Sequence, residues 1–471
     1  MNQVLSLAPR LALARMRGAR AGATLDVLAV ITFAVSSFLT LTVVGGTWMF
    51  ITRFRETPQS VVTAMGFDSP DVPAAMVDGQ MQMYVVLAAI ACALLVLPVL
   101  GLGAAASRLG ARGRSRRLAS LRLVGMTGGE IVTLSVLETL VQAALGTLAG
   151  GVLWLLSLPL WQAVSFQGVP IGATEMLVPI WLGLATVVVL IALAALSTVV
   201  GLQRVRISPL GVAAQQVPPR LKMWRLVIMV AAVLAFGLVS QSFTDLIQIS
   251  ELIGYAFLVG MMLLVIGALN LVGPWVLQLV ARPLAHTSSV PQLLAARRIV
   301  DDPRAAWRNV SSVALLGMIA TFTALLPSDA DTLGSQPSDI IMATDMRTGV
   351  VITLAVGLVV AATSTLVNQA STVVDRADES VAMDRAGTPR TMFAALRRHQ
   401  VLVPLVVTLA ISIGVGLLLS VPFLAFATPS TTGILVMAAT VALGLVLTLL
   451  AAETCRPLQS TVLGDQRRRN D

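Results

Sequence analysis

The feature that most constrains this chain is the return, about ten times along its length, of apolar runs long enough to cross a bilayer. They fall near 25–51, 83–107, 131–157, 178–201, 226–242, 251–281, 309–327, 348–374, 399–425 and 433–455. Roughly 20 apolar residues in a helix span the ~30 Å hydrocarbon core, and a helix satisfies its own backbone there. The composition agrees, with 56% of the 471 residues hydrophobic and 12% charged, against about 25% charged in soluble domains. The expected fold class is an all-α polytopic membrane protein with no soluble domain of ordinary size between its helices.

Charge between the runs orients them. The net charge of +9 is carried by arginine, since Lys222 is the only lysine. Arginines crowd 108–130 (Arg108, Arg112, Arg114, Arg116, Arg117, Arg122) and 202–225, whereas 52–82 and 328–347 are rich in aspartate. By the positive-inside rule the first pair of segments is cytoplasmic, the second external, and both termini cytoplasmic. A nucleic-acid reading of the basic balance would need a basic face on a folded domain. Residues 4–20 mix Leu5, Leu11 and Leu13 with Arg10, Arg15, Arg17 and Arg20, which suits an interfacial elbow helix. No short apolar stretch with a small-residue cleavage site marks a removable signal peptide.

A weak internal repeat divides the chain. PRLALAR at 9–15 resembles PQLLAAR at 291–297, and LASLRLVGMT at 118–127 resembles SVAMDRAGTP at 380–389. The organisation expected is an elbow (1–24), a four-helix module (25–201), a linker with two membrane helices (202–282), a second elbow (283–308), a second four-helix module (309–455) and a tail (456–471). Thr127-Gly-Gly-Glu130 has the spacing of a capping box, and Thr388-Pro389 that of an N-cap followed by proline in the first helical position.

The segment RRLASLRLVGMTGGEIVTLSVLETLVQAALGTLAGGVL, from Arg116 to Leu153, resembles the core of the FtsX-like permease family, the membrane subunits of type VII ABC transporters. The pattern is a basic loop, an LRxxGMT turn, a glutamate in the next helix and then small residues: Arg122, Gly125, Glu138, Gly146, Gly150 and Gly151. In the second half Gly387, Thr388 and Pro389 match, and the position of Glu138 falls near Gln400. The resemblance implies a fused ten-helix permease in a bacterial plasma membrane, similar to the bacitracin-efflux type but without a large extracytoplasmic domain. It further implies two copies of a separate ABC ATPase, which would carry ATP and Mg, and export or extraction of a hydrophobic or amphipathic substrate such as a lipid, drug, haem-like molecule or membrane-active peptide.

No phosphate-cradling GxxxxGK[ST] loop exists in the chain, because Lys222 sits in RLKMWR with no glycine-rich stretch before it. The chain itself is therefore not expected to be an enzyme or to hold a cofactor. Coupling to the ATPase is assigned to Arg116, Arg117, Arg122, Gly125, Thr127 and Glu130 in the first half, and to Asp384, Arg385, Gly387, Thr388 and Arg390 in the second. A solvated loop between two helices is the bland alternative for the second segment, and ordinary transmembrane helix capping that for the helix starts of both.

Glu138, a carboxylate inside an apolar run, is the intramembrane candidate, with pairing between helices favoured over substrate contact. Asn270 and Asn368 read as packing hydrogen bonds, and Gly146, Gly150 and Gly151 as contacts to a neighbouring helix. Asp245 and Glu251 read as interfacial charges, with a substrate gate as the alternative. His286, His399, Cys92 and Cys455 have no metal-site spacing. An ion-coupled secondary transporter and a signalling subunit that transports nothing are the competing classes.

Overall fold

The computed structural model describes residues 20–112, 127–206, 223–241, 250–325, 336–421 and 431–467. In chain order the helices are α1 (Arg20–Arg55), α2 (Gln59–Ala64), α3 (Ala74–Arg112), α4 (Gly128–Ser157), α5 (Ile180–Arg206), α6 (Trp224–Gln241) and α7 (Glu251–Leu284). They continue as α8 (Val290–Asp301), α9 (Pro303–Ala324), α10 (Pro337–Asp375), α11 (Ala377–Arg385), α12 (Arg390–Ser420), α13 (Thr431–Glu453) and α14 (Arg456–Arg467). A two-residue-per-strand hairpin, β1 (Ser165–Phe166) and β2 (Val169–Pro170), follows α4.

Eight described helices are long and apolar enough to cross a membrane: α1, α3, α4, α5, α7, α10, α12 and α13. This establishes an all-α, membrane-type architecture. Of the other two sequence runs, α6 offers only a shorter apolar stretch, Trp224–Leu238. Helix α9 opens with Arg304, Arg308 and Asn309, and most of its surface is buried against other helices. A helix wrapped by protein has little need of a lipid-compatible surface.

The packing order repeats. Helix α1 packs on α3 and α4, and α5 closes against both; α9 packs on α10 and α12, and α13 closes against both. Helices α3 and α10 pack on each other and form a seam between the two groups. Helices α6 and α7 pair, and α7 docks on the second group, where the Trp307 indole lies over Gly273 and donates to Asn270 Oδ1 at 3.0 Å.

Small residues set the register of this packing. A Cβ placed on Gly150 would stand 2.3 Å from the Ala34 carbonyl oxygen and 2.8 Å from Ser37 Cβ. One on Gly416 would stand 2.8 Å from the Met318 carbonyl oxygen and 2.7 Å from Thr321 Cβ. These are equivalent contacts in the two groups. One turn earlier the glycine changes sides: Gly146 on α4 faces Phe33 on α1, whereas Ser412 on α12 faces Gly317 on α9. In this register the counterpart of Glu138 is Pro404 rather than Gln400. Alignment on the helix starts gives Gln400, because α12 has about one extra turn before its close approach. Gly151 meets nothing within 4 Å, which corrects its assignment to a helix contact; being next in sequence to Gly150, it points to another face of the helix.

Polarity is arranged outside in. Large apolar side chains face outward on α4 (Leu148, Leu156), α5 (Leu184, Leu196) and α13 (Leu435, Leu450). Thr32, Ser36, Ser37, Thr139, Thr147 and Thr198 are buried between helices. Without a hydrophobic drive between helices in lipid, close backbone approach and hydrogen bonds hold such a bundle. Ser36 Oγ donates to the Val99 carbonyl at 3.0 Å, and Thr365 Oγ1 to the Asn309 carbonyl at 2.8 Å.

Several boundaries differ from the sequence reading. The first elbow lies mostly outside the described residues, and Arg20–Thr24 are already the first turn of α1, since nothing in RAGAT breaks a helix. The second elbow becomes α8, which buries Ala295, Ala296 and Ile299 and packs on α7 and α12, while Pro303 already starts α9. Helix α10 starts well before its apolar run, so Asp345 lies inside a helix and is 5% exposed.

Candidate functional site

Both ends of the α3–α10 seam carry polar assemblies. At the hairpin end, Arg53 in the last turn of α1 is 3% exposed and nearly saturated. Its Nε and Nη2 donate to Glu175 Oε2 at 3.0 and 2.6 Å, and Nη1 donates to the Phe166 carbonyl at 2.9 Å. Weaker bonds run to Gln167 Oε1 and the Pro170 carbonyl, both at 3.3 Å. The hairpin turn is Gln167-Gly168, with φ values of 60° and 75°. Positive φ at both turn positions is the I′ geometry that matches strand twist, and a glutamine adopts it at a cost.

The strained turn is held by the second group of helices. The backbone N–H of Gln167 donates to Asp345 Oδ2 at 2.6 Å, and Tyr84 Oη donates to the same oxygen at 2.7 Å. Tyr84 stacks on Phe50, which meets Phe166 edge-on. One carboxylate on α10 thus ties together α3 and the hairpin. Strain preserved by surrounding structure is a feature of sites that hold or switch a conformation.

At the opposite end of the seam a polar cavity of about 170 Å³ opens between α8, α9, α10 and α12, with Ala105 of α3 at its wall. It shares Arg298, Gln369, Thr372, Arg376 and Gln400 with an adjoining recess of about 30 Å³. Arg298 Nη2 donates to Glu379 Oε1 at 2.7 Å, and Arg376 pairs with the same carboxylate at 3.4 Å. Arg397 is 4% exposed; its Nη1 donates to Gln459 at 2.7 Å and its Nη2 to Glu453 at 3.3 Å. Burial pulls the Arg298 guanidinium below its ordinary pKa, and its bond to Glu379 works the other way.

A third polar group lies within the first set of helices. Glu138 (2% exposed), Thr139 and Gln142 stand on one face of α4, and Gln142 Nε2 donates to Asp26 of α1 at 2.9 Å. Thr198 of α5 donates to Thr139 Oγ1 at 3.2 Å. Glu138 is thus buried on the face of α4 that carries these two interhelical bonds. Asp26, at the start of its apolar run, was not singled out in the sequence; a second carboxylate near the depth of the first was the available signal.

The sequence-assigned coupling residues fall into two sets. Arg116, Arg117, Arg122 and Gly125 lie outside the described residues. Thr127 and Glu130 form the expected capping box: Thr127 Oγ1 accepts from Glu130 N at 3.4 Å, and Thr127 N donates to Glu130 Oε2 at 2.9 Å. In the second half Asp384 and Arg385 end α11, and Gly387 terminates it at φ 85°. Gly387 N donates to the Asp384 carbonyl and Thr388 N to the Met383 carbonyl, both at 3.1 Å, which is a Schellman closure. Pro389, not Thr388, is the N-cap of α12, so Arg390 rather than the proline takes the first helical position. The extended backbone of Pro389 makes it the half-in residue.

Asn270 and Asn368 make the packing bonds expected of them; Asn368 Nδ2 donates to the Arg308 carbonyl at 2.9 Å. Asp245 lies outside the described residues. No group of three or more metal-ligating side chains occurs among the described residues. Neither Arg53–Glu175 nor Tyr84–Asp345 was legible as a pair, because the partners are far apart in sequence. No family model matches the chain, and no curated protein matches it.

Proposed function

We propose that the chain is the membrane subunit of an ATP-driven transporter, with two fused four-helix modules of the FtsX-like kind. The modules are α1, α3, α4 and α5, and α9, α10, α12 and α13, with α6 and α7 as linking helices, giving ten membrane helices. Helix α11 carries this reading. It is a short charged helix, closed by Gly387 and joined to α10 and α12 with almost no slack, in the position where the first module has its arginine-rich segment 113–126. Asp378, Glu379 and Arg385 are exposed on it. A rigid element of mixed charge between two membrane helices suits docking of a separate ATPase, whose closure would move α10 and α12 together.

Two ATPase copies follow from two modules, and ATP and Mg would be held there. The seam between α3 and α10 is where the modules would separate, with the Tyr84–Asp345 and Gln167–Asp345 contacts fastening the side that loop charge makes external and Arg53–Glu175 bracing the hairpin within the first module. The outward apolar faces and short loops favour a hydrophobic or amphipathic substrate drawn from the membrane. In the test, the chain is captured from its native membrane in mild detergent, as wild type and with Arg385→Glu. The wild type is expected to retain a P-loop ATPase and ATP hydrolysis, and Arg385→Glu to lose most of both. Full retention by Arg385→Glu would remove α11 from the coupling role; absence of any ATPase from the wild type would overturn the reading.

A further inference from the structure

The cavity beside α8 has a chemistry that coupling does not use. Four arginines, Arg298, Arg308, Arg376 and Arg397, line it and its recess, against the two aspartates Asp302 and Asp375. Asp302 is engaged locally, since its Oδ1 accepts from the Ala305 backbone N–H at 2.9 Å. Glu379 and Glu453 hold the Nη ends of Arg298 and Arg397. The Nε–H groups of these two arginines are buried and have no acceptor among the described residues, and both arginines line the same recess. Two unpaired charged donors on residues that border one small recess call for an oxyanion, since charge-assisted bonds to oxygen are the strong ones and phosphate fits the guanidinium edge.

The depth of the site narrows the source. Helix α10 has 39 residues and so is about 58 Å long, well beyond the hydrocarbon thickness. Val367, Asn368, Gln369, Ser371, Thr372 and Asp375, in its last turns, line the cavity. The same end of the bundle gathers Arg282, Arg297, Arg304, Arg398 and Arg456 on neighbouring helices, all exposed. Apolar helices giving way to an arginine band mark the headgroup level of a bilayer.

We infer that the recess adjoining the cavity between α8, α9, α10 and α12 is a binding site for the phosphate of an anionic phospholipid, held by the Nε edges of Arg298 and Arg397. The site fixes the interfacial helix α8 to α10 and α12 through the headgroup. It stands whether or not an ATPase partner exists, because it uses none of the residues assigned to coupling.

The test uses the full chain, delipidated and returned to nanodiscs of phosphatidylcholine alone, of phosphatidylcholine with phosphatidylglycerol, or of phosphatidylcholine with inorganic phosphate in the buffer. Thermal unfolding and native mass spectrometry of retained lipid are read for the wild type, for Arg298→Gln with Arg397→Gln, and for Arg282→Gln as a control for general charge. Expected are a higher unfolding midpoint and retained phosphatidylglycerol in the wild type and in Arg282→Gln, both lost in the double variant. Should the double variant fail to fold, retention of phosphatidylglycerol over phosphatidylcholine by the wild type in competition decides alone. Equal retention of the two lipids overturns the site. Reproduction of the whole shift by inorganic phosphate overturns the lipid source and assigns a free phosphate.

Discussion

Gly150 and its neighbour Gly151 differ by one position and by nearly everything physical. A methyl on Gly150 has no room against Ala34 and Ser37, whereas one on Gly151 meets nothing within 4 Å. Gly150→Ala is expected to destabilise the bundle by about 1–3 kcal/mol through overpacking, and Gly151→Ala to be neutral or slightly stabilising through helix propensity. Thermal unfolding in detergent separates the two; equal effects would contradict the α1–α4 register. Arg53 offers a second test. Arg53→Ala strips Glu175 and two carbonyls of their donor and is expected to cost roughly 3 kcal/mol. Glu175→Gln should cost less, since Glu175 is 34% exposed and partly served by solvent. These roles were only half visible in the sequence: small residues at helical spacing announced a close approach, but which glycine faced the neighbour depended on the rotation of α4.

At the scale of elements, eight of the ten apolar runs fell on helices long and apolar enough to cross a membrane, and the runs missed where those helices extend. Helix α10 continues beyond its run because its extra turns face Tyr84 and Gln167 rather than lipid, so Asp345 is paid for by two hydrogen bonds. Counting loop charge therefore placed Asp345 and Arg53 in solvated loops, when both are buried inside helices. Asp345→Ala is expected to raise amide exchange across 165–170 and to leave α13 unchanged; protection kept at Gln167 would show that the hairpin holds itself. Helix α11 was foreseen only as a charged segment with Gly387 matching the family turn, and the Schellman closure is the physical content of that glycine. Gly387→Ala forces a Cβ into positive φ and is expected to cost about 1 kcal/mol locally, read as faster exchange from Met383 to Thr388. An unchanged rate there would mean that the closure contributes nothing to α11.

Across the whole molecule, the all-α membrane architecture was legible because hydropathy is a local property summed along the chain. The repeat was legible only faintly, since its halves share geometry more than residues: Gly146 opposite Phe33 becomes Ser412 opposite Gly317. The seam, its hairpin fastening and the arginine cavity were not legible, because each needs residues from distant segments to meet. The proposal of a two-module permease rests on that shared geometry and on α11, and the assembly state tests it most directly. Native mass spectrometry of the complex captured from its own membrane is expected to give one copy of this chain with two copies of a P-loop ATPase. One copy alone, or a homodimer without ATPase, from membranes in which the chain is active would contradict it.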